Sequence, residues 1–157
     1  DNMGLKQFIQ NRLKPQLLKY RNIEIVGYGD PAGTQRSQND ERTCYNILSS
    51  EGLSIYPAST NANVARVGAV EDLLSRLVDG KAAFQLSPVC KVLRKGFNGA
   101  YQYKRLQVSQ ERYSDVPDKN EYSHIHDALQ YAALYALEGV KKKTAPAIHV
   151  DAWGGLT

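Results

Sequence analysis

The chain has 157 residues, 42% hydrophobic and 23% charged, with 20 Lys and Arg against 16 Asp and Glu for a net charge of +4. That size and balance suit one folded domain with its own core, exclude disorder as the main state, and leave no run long enough for a membrane span. Two cysteines, Cys44 and Cys90, are too few for a disulfide scaffold or a Cys-rich zinc site.

Leu5, Phe8, Ile9, Leu13 and Leu17 recur as the stripe of an amphipathic helix, which Asp1 or Asn2 would cap. With no start methionine and no leading strand, the opening reads as the interior of a longer chain, cut just before a helix. Residues 23–30 are β-branched and end in glycines, the pattern of a buried strand with Asp30 at its carboxyl end. Residues 31–39 read as a loop. Asp40 is expected as the N-cap of a second helix with the stripe Cys44, Ile47 and Leu48, and Gly52 as its C′ residue. Residues 53–56 form a second strand stopped by Pro57. Val67, Val70, Leu73, Leu74 and Leu77 make a third helix closed near Asp79-Gly80. This alternation predicts parallel strands with helical crossovers.

The second half differs. Residues 89–93 and 100–108 are strand-like and flank Gly96-Phe97-Asn98-Gly99, a β-hairpin signal. The hairpin is basic, with Lys91, Arg94, Lys95, Lys104 and Arg105 interleaved with Phe97, Tyr101 and Tyr103, the composition of a phosphate-contacting ribbon or of a lysine-protected sheet edge. A polar loop at 112–121 precedes a long helix of small residues opened by Ser123 as N-cap. From Gly139 onward, Lys141-Lys142-Lys143 and the Pro- and Gly-containing end read as a basic, weakly ordered tail.

Asp30 lies where open α/β sheets place reactive groups, outside the carboxyl end of a strand. Asp127 falls in the first turn of the last helix. Brought together, the two carboxylates would hold divalent ions that activate water against a phosphodiester. Each also has a plain structural role open to it: Asp30 as a loop cap, Asp127 as an acid favoured by the helix dipole. His124 can orient a carboxylate or donate to phosphate; His126, two residues on, faces another side and reads as a structural histidine. Gly27, Gly29 and Gly33 make neither a P-loop nor a dinucleotide fingerprint, and read as room around a strand end. Both cysteines read as small buried hydrophobes.

Four blocks in order carry a family resemblance: Gly29-Asp30-Pro31-Ala32-Gly33 with Arg36-Ser37-Gln38 and Asp40-Glu41; Asp79-Gly80-Lys81; Ser87-Pro88 with Cys90, Arg94-Lys95-Gly96-Phe97, Gly99, Tyr101 and Tyr103; and Pro117-Asp118-Lys119-Asn120 with Tyr122-Ser123-His124 and Asp127-Ala128-Leu129-Gln130-Tyr131. Over residues 1 to about 138 the chain resembles the nuclease domain of the large terminase subunits of tailed bacteriophages. The resemblance implies an RNase H-like α/β fold, a mixed sheet flanked by helices with an added basic β-hairpin, here with strands missing at its N-terminal side. Residues 1–140 would be the partial nuclease domain and 141–157 the tail. It implies a metal-dependent endonuclease that cuts concatemeric viral DNA during packaging, with Mg²⁺ or Mn²⁺ in a two-metal site of the complete domain. Asp30 matches the family's second acid and Asp127 its third, with His124 assisting. No residue matches the first acid, so weak or absent cleavage is expected. An alignment with Asp30 as first acid would need a partner among Glu71, Asp72, Asp115 or Asp118, none of which follows a buried strand. Implied partners are double-stranded DNA, the portal, the small terminase subunit and the ATPase domain of the same polypeptide, in the cytoplasm of an infected bacterium. A non-cleaving DNA-binding or docking module is the competing function; another RNase H-like nuclease, such as a resolvase or integrase core, is a weaker one.

Overall fold

The computed structural model describes residues 3–20, 22–37, 40–106 and 112–144. The expected caps Asp1 and Asn2 and the end of the tail lie outside these residues.

A first helical stretch (α1) runs through Leu5–Phe8, a widened turn at Ile9–Leu13, then Lys14–Leu17 and a tight last turn at Leu18–Tyr20. The widening precedes Pro15, which has no N–H to give back to the preceding turn. Ile9 is the fully buried member of the apolar stripe. Strand β1 is Gly27–Gly29, shorter than expected: Ile23, Ile25 and Val26 lie outside it and are exposed. A strand is buried only when both its edges and a face are covered. Among the described residues β1 has one neighbour, β4 (Ile55–Pro57), in the parallel register that the alternation predicts.

Asp40 is not a helix cap. It opens strand β3 (Asp40–Thr43), which pairs with β2 (Arg36–Ser37), and Thr43 caps α2 (Cys44–Ser50) by accepting the Asn46 N–H at 3.1 Å. The helix closes as expected: Gly52 has φ +78°, with its N–H on the Ser49 carbonyl and that of Leu53 on the Leu48 carbonyl.

Helix α3 (Asn63–Ser75) ends earlier than its apolar spacing suggested, and Leu77 belongs to a tight hairpin, β5 (Leu77–Val78) with β6 (Lys81–Ala82). The turn residues Asp79 and Gly80 have φ of 51° and 74°, the mirror-image turn that Asp-Gly favours. The basic hairpin is displaced by one element. Lys91–Lys95 is a helix (α4) followed by a kinked turn through Gly96–Ala100, where Asn98 and Gly99 (φ 106°) leave the helical region, and the hairpin is β7 (Tyr103–Leu106) with β8 (Arg112–Pro117). Five residues between Cys90 and Gly96 carry Leu93 as their only half-buried side chain, which suits one turn of surface helix better than a ladder.

Helix α5 (Ser123–Thr144) packs on α3 to make the core: Ala69 and Val70 meet Ala133 and Leu137, with Leu73, Leu129 and Leu134 around them. Small side chains let the helix axes approach, and each buried Val or Leu contributes about 1.5–3 kcal/mol. Ser123 is buried but does not cap: its hydroxyl donates to the Asn120 carbonyl, and Asn120 Oδ1 accepts the Tyr122 N–H. Cys44 is exposed and Cys90 half-buried, so neither is a core residue. The result is a mixed α/β protein with, among the described residues, five helices and four separate two-stranded sheets, not one joined sheet. No helix among them is long and apolar enough to cross a membrane.

Candidate functional site

Three side chains one turn apart on α5, Asp127, Tyr131 and Tyr135, share a face because 3.6 residues make a turn. The Tyr28 ring of β1 stacks on Tyr135 with centroids 3.7 Å apart. Two residues further, at the end of β1, Asp30 therefore comes alongside Tyr131. Asp30 and Asp127 line one cleft of about 340 Å³, together with Asn61, Asn63, Arg66, Tyr101, Lys119 and Tyr131.

Asp30 is exposed and held from both sides. Its Oδ1 accepts the Ala32 N–H at 2.9 Å, capping the tight turn Pro31–Thr34, and its carbonyl accepts the Tyr45 hydroxyl at 2.8 Å. The loop-capping role is thus real, and the other carboxylate oxygen is left to the cleft, where the Tyr131 hydroxyl lies beside it.

Asp127 is surrounded by cations. Arg66 Nη1 donates to Oδ1 at 3.1 Å and Lys119 Nζ to Oδ2 at 2.9 Å. Burial pushes the Asp127 carboxyl up, but Lys119 and Arg66 outweigh it and hold it below the usual carboxylate range. The two cations differ in kind. The Arg66 side chain is 9% exposed, also donates to Gln130 Oε1 (2.7 Å) and the Asn61 carbonyl (3.3 Å), and lies 4.8 Å over the Tyr131 ring. Lys119 is 74% exposed. Tyr131 donates to Asn61 Oδ1 at 2.6 Å; its phenol is pushed up to about 12 by burial, and the Asp30 carboxylate beside it adds to the rise.

The first turn of α5 splits the two histidines. His124 is exposed and is not among the residues lining the cleft. His126 is buried, stacked on Tyr101 (4.5 Å) and edge-on to Phe97 (4.9 Å), with Nε2 unpartnered against Gly96. Burial holds its imidazole below the ordinary value. Among the basic residues, Lys91, Arg94 and Lys95 stand on α4, and Lys104 and Arg105 on β7. Lys95 Nζ sits 5.6 Å over the Tyr122 ring, and Arg94 reaches the Pro88 carbonyl at 3.4 Å.

A hard divalent cation asks for oxygen ligands and keeps several waters. Asp30 offers the oxygen that does not cap the Pro31–Thr34 turn, with the Tyr131 hydroxyl beside it; Asp127 offers one once Lys119 withdraws, while Arg66 keeps the other. The cleft fits such an ion on that condition. Among the described residues no group of three or more His, Cys, Asp and Glu side chains comes together as a metal site.

Neither cation of the cleft, Arg66 or Lys119, had a role assigned from the sequence alone. Arg66 stands four and seven positions before Val70 and Leu73, on the face of α3 that packs inward, and a lone arginine in an apolar stripe signals a buried acid to meet. Lys119 lies in the Pro-Asp-Lys-Asn block with nothing in its spacing to aim it at Asp127. A scan against protein-family models and searches of curated proteins and of solved structures find no match to this chain.

Proposed function

We propose that the chain is a divalent-metal-dependent DNA endonuclease domain of a phage DNA-packaging terminase, RNase H-like in descent and weak in cleavage on its own. The observation that carries this is the shared cleft of Asp30 and Asp127, contributed by a strand end and by a helix far along the chain. A bound Mg²⁺ or Mn²⁺ would polarise the scissile phosphate and lower the pKa of an attacking water. Asp30 and Asp127 would hold the ion. Arg66 fixes the Asp127 carboxylate from the buried side, and Tyr131 with Asn61 fills the wall between the two acids. Exposed Lys91, Lys95 and Lys104 supply the salt-dependent grip on the DNA backbone without reading sequence. In the terminase setting, the portal, the small subunit and the motor domain would deliver and hold that DNA.

Plasmid nicking in Mn²⁺ tests the proposal. Asp30→Asn and Asp127→Asn should each abolish whatever nicking the parent shows, while His124→Ala, outside the cleft, should change it little. Full activity in both aspartate variants refutes the assignment. A second reading, a DNA-holding module that does not cut, is favoured by the double ion pairing of Asp127. A salt-sensitive gel shift with no metal-dependent product selects it.

A further inference from the structure

The ends of Lys119 are treated differently by the fold. Its chain neighbours are pinned on both sides: the Asp118 N–H donates to the Gln102 carbonyl at 2.9 Å, and Asn120 Nδ2 donates to the Ala100 carbonyl at 2.8 Å. Among the described residues its side chain is tied by a single ion pair, Nζ to Asp127 Oδ2, and is otherwise largely exposed. Exposed lysine pairs of this kind are weak and easily exchanged. The oxygen that Lys119 covers is the one that the cleft would have to offer a metal, and the other is kept by buried Arg66.

We propose that Lys119 is a removable plug on the metal site, and that a DNA phosphate draws it off Asp127 so that duplex and divalent ion bind cooperatively. The inference rests on the nuclease reading and adds to it the order of events. Without DNA, Nζ supplies the positive charge at Asp127, and a divalent ion has to displace it. With DNA, Nζ turns to a phosphate oxygen and Oδ2 is exposed to the cleft that Asp30 also lines. No bond is made or broken; one cation replaces another. By reciprocity the metal must strengthen DNA binding by the same factor that DNA strengthens metal binding. Lys119 is then a positioning residue for the site's charge.

The test is Mn²⁺ binding to the full chain, followed by the loss of the free-ion signal in electron paramagnetic resonance, with and without a short DNA duplex. Expected are weak uptake by the parent protein, about tenfold tighter uptake with duplex present, and a similar tenfold gain without duplex in Lys119→Gln. Duplex should add nothing further in that variant, and Asp127→Asn should bind little in either state. Equal Mn²⁺ affinity of parent and Lys119→Gln, or a duplex effect that survives the substitution, overturns the plug. Nicking measured on the same samples separates the two proposals. Tight, DNA-independent Mn²⁺ uptake without nicking in Lys119→Gln keeps the plug and removes the nuclease, whereas Mn²⁺-dependent nicking with unchanged affinity does the reverse. Absence of Mn²⁺ uptake in every sample overturns both.

Discussion

Removing the Arg66 guanidinium should be among the most damaging single changes in the protein. Arg66→Ala deletes the ion pair to Asp127, the hydrogen bonds to Gln130 Oε1 and the Asn61 carbonyl, and the contact over the Tyr131 ring. Breaking a buried ion pair by removing one partner costs about 3–5 kcal/mol. The lower end applies, since the Asp127 side chain is 19% exposed and keeps Lys119. The unpaired Gln130 oxygen adds about 1 kcal/mol and relaxation recovers some, for a net loss of about 3 kcal/mol. For a domain of this size that lowers Tm by roughly 10 °C. Urea unfolding followed by far-ultraviolet circular dichroism measures it, with Arg66→Met separating lost packing from lost charge. A double-mutant cycle with Asp127→Asn should give a coupling of about 1–2 kcal/mol. A loss below about 1 kcal/mol, or a cycle without coupling, would refute the picture of Arg66 as the buried anchor of the cleft.

The remaining expectations concern packing, turn chemistry, pH and DNA. A Cβ at Gly96 would stand 1.9 Å from His126 Nε2, so Gly96→Ala should destabilise by about 2–3 kcal/mol and His126→Ala should recover part of that in the double variant, as read by urea unfolding. Gly80→Ala, at φ 74° in the β5–β6 turn, should cost about 1 kcal/mol by the same assay, whereas a cost near zero would show that the turn relaxes. Burial holds the His126 imidazole below its unfolded value of 6.5, so the folded state resists the proton. The resulting stability is fully present above that value and is lost as pH falls toward the lower folded value, and His126→Phe should flatten this part of the profile. Asp127, held low by Lys119 and Arg66 against burial, contributes stability that is present above its unfolded value of 3.8 and lost as pH falls through the folded one; Asp127→Asn should remove that acid limb. Lys104→Gln should weaken duplex binding equally across sequences and reduce the salt slope by about one unit, as a gel-shift titration would record.

Local chemistry made much of the chain legible. The α1 stripe, the Gly52 stop, the parallel pairing of β1 with β4 and the start of α5 follow from apolar spacing and φ preferences within a few neighbouring residues. The misreadings share a cause. Residues 89–93 and 23–26 have β-branched side chains that favour strands only where another strand lies alongside, and α4 and the exposed Ile23–Val26 stretch lack one among the described residues. Leu77 fitted the helical spacing of α3, yet Asp79-Gly80 turned the chain sooner, because two left-handed residues in succession close a hairpin and cannot extend a helix. Asp30 and Asp127 were both recognisable as acids at a strand end and a helix start. That they share a cleft follows from Tyr28 stacking on Tyr135, a contact between residues far apart in the chain. That Asp127 is met by two cations depends on the packing of α3 against α5 and on the pinned turn before α5. Local sequence can name which residues carry charge and where the backbone must bend; the neighbour each charge meets is settled only when distant segments close on one core, since the Coulomb energy depends on a separation that no spacing along the chain encodes.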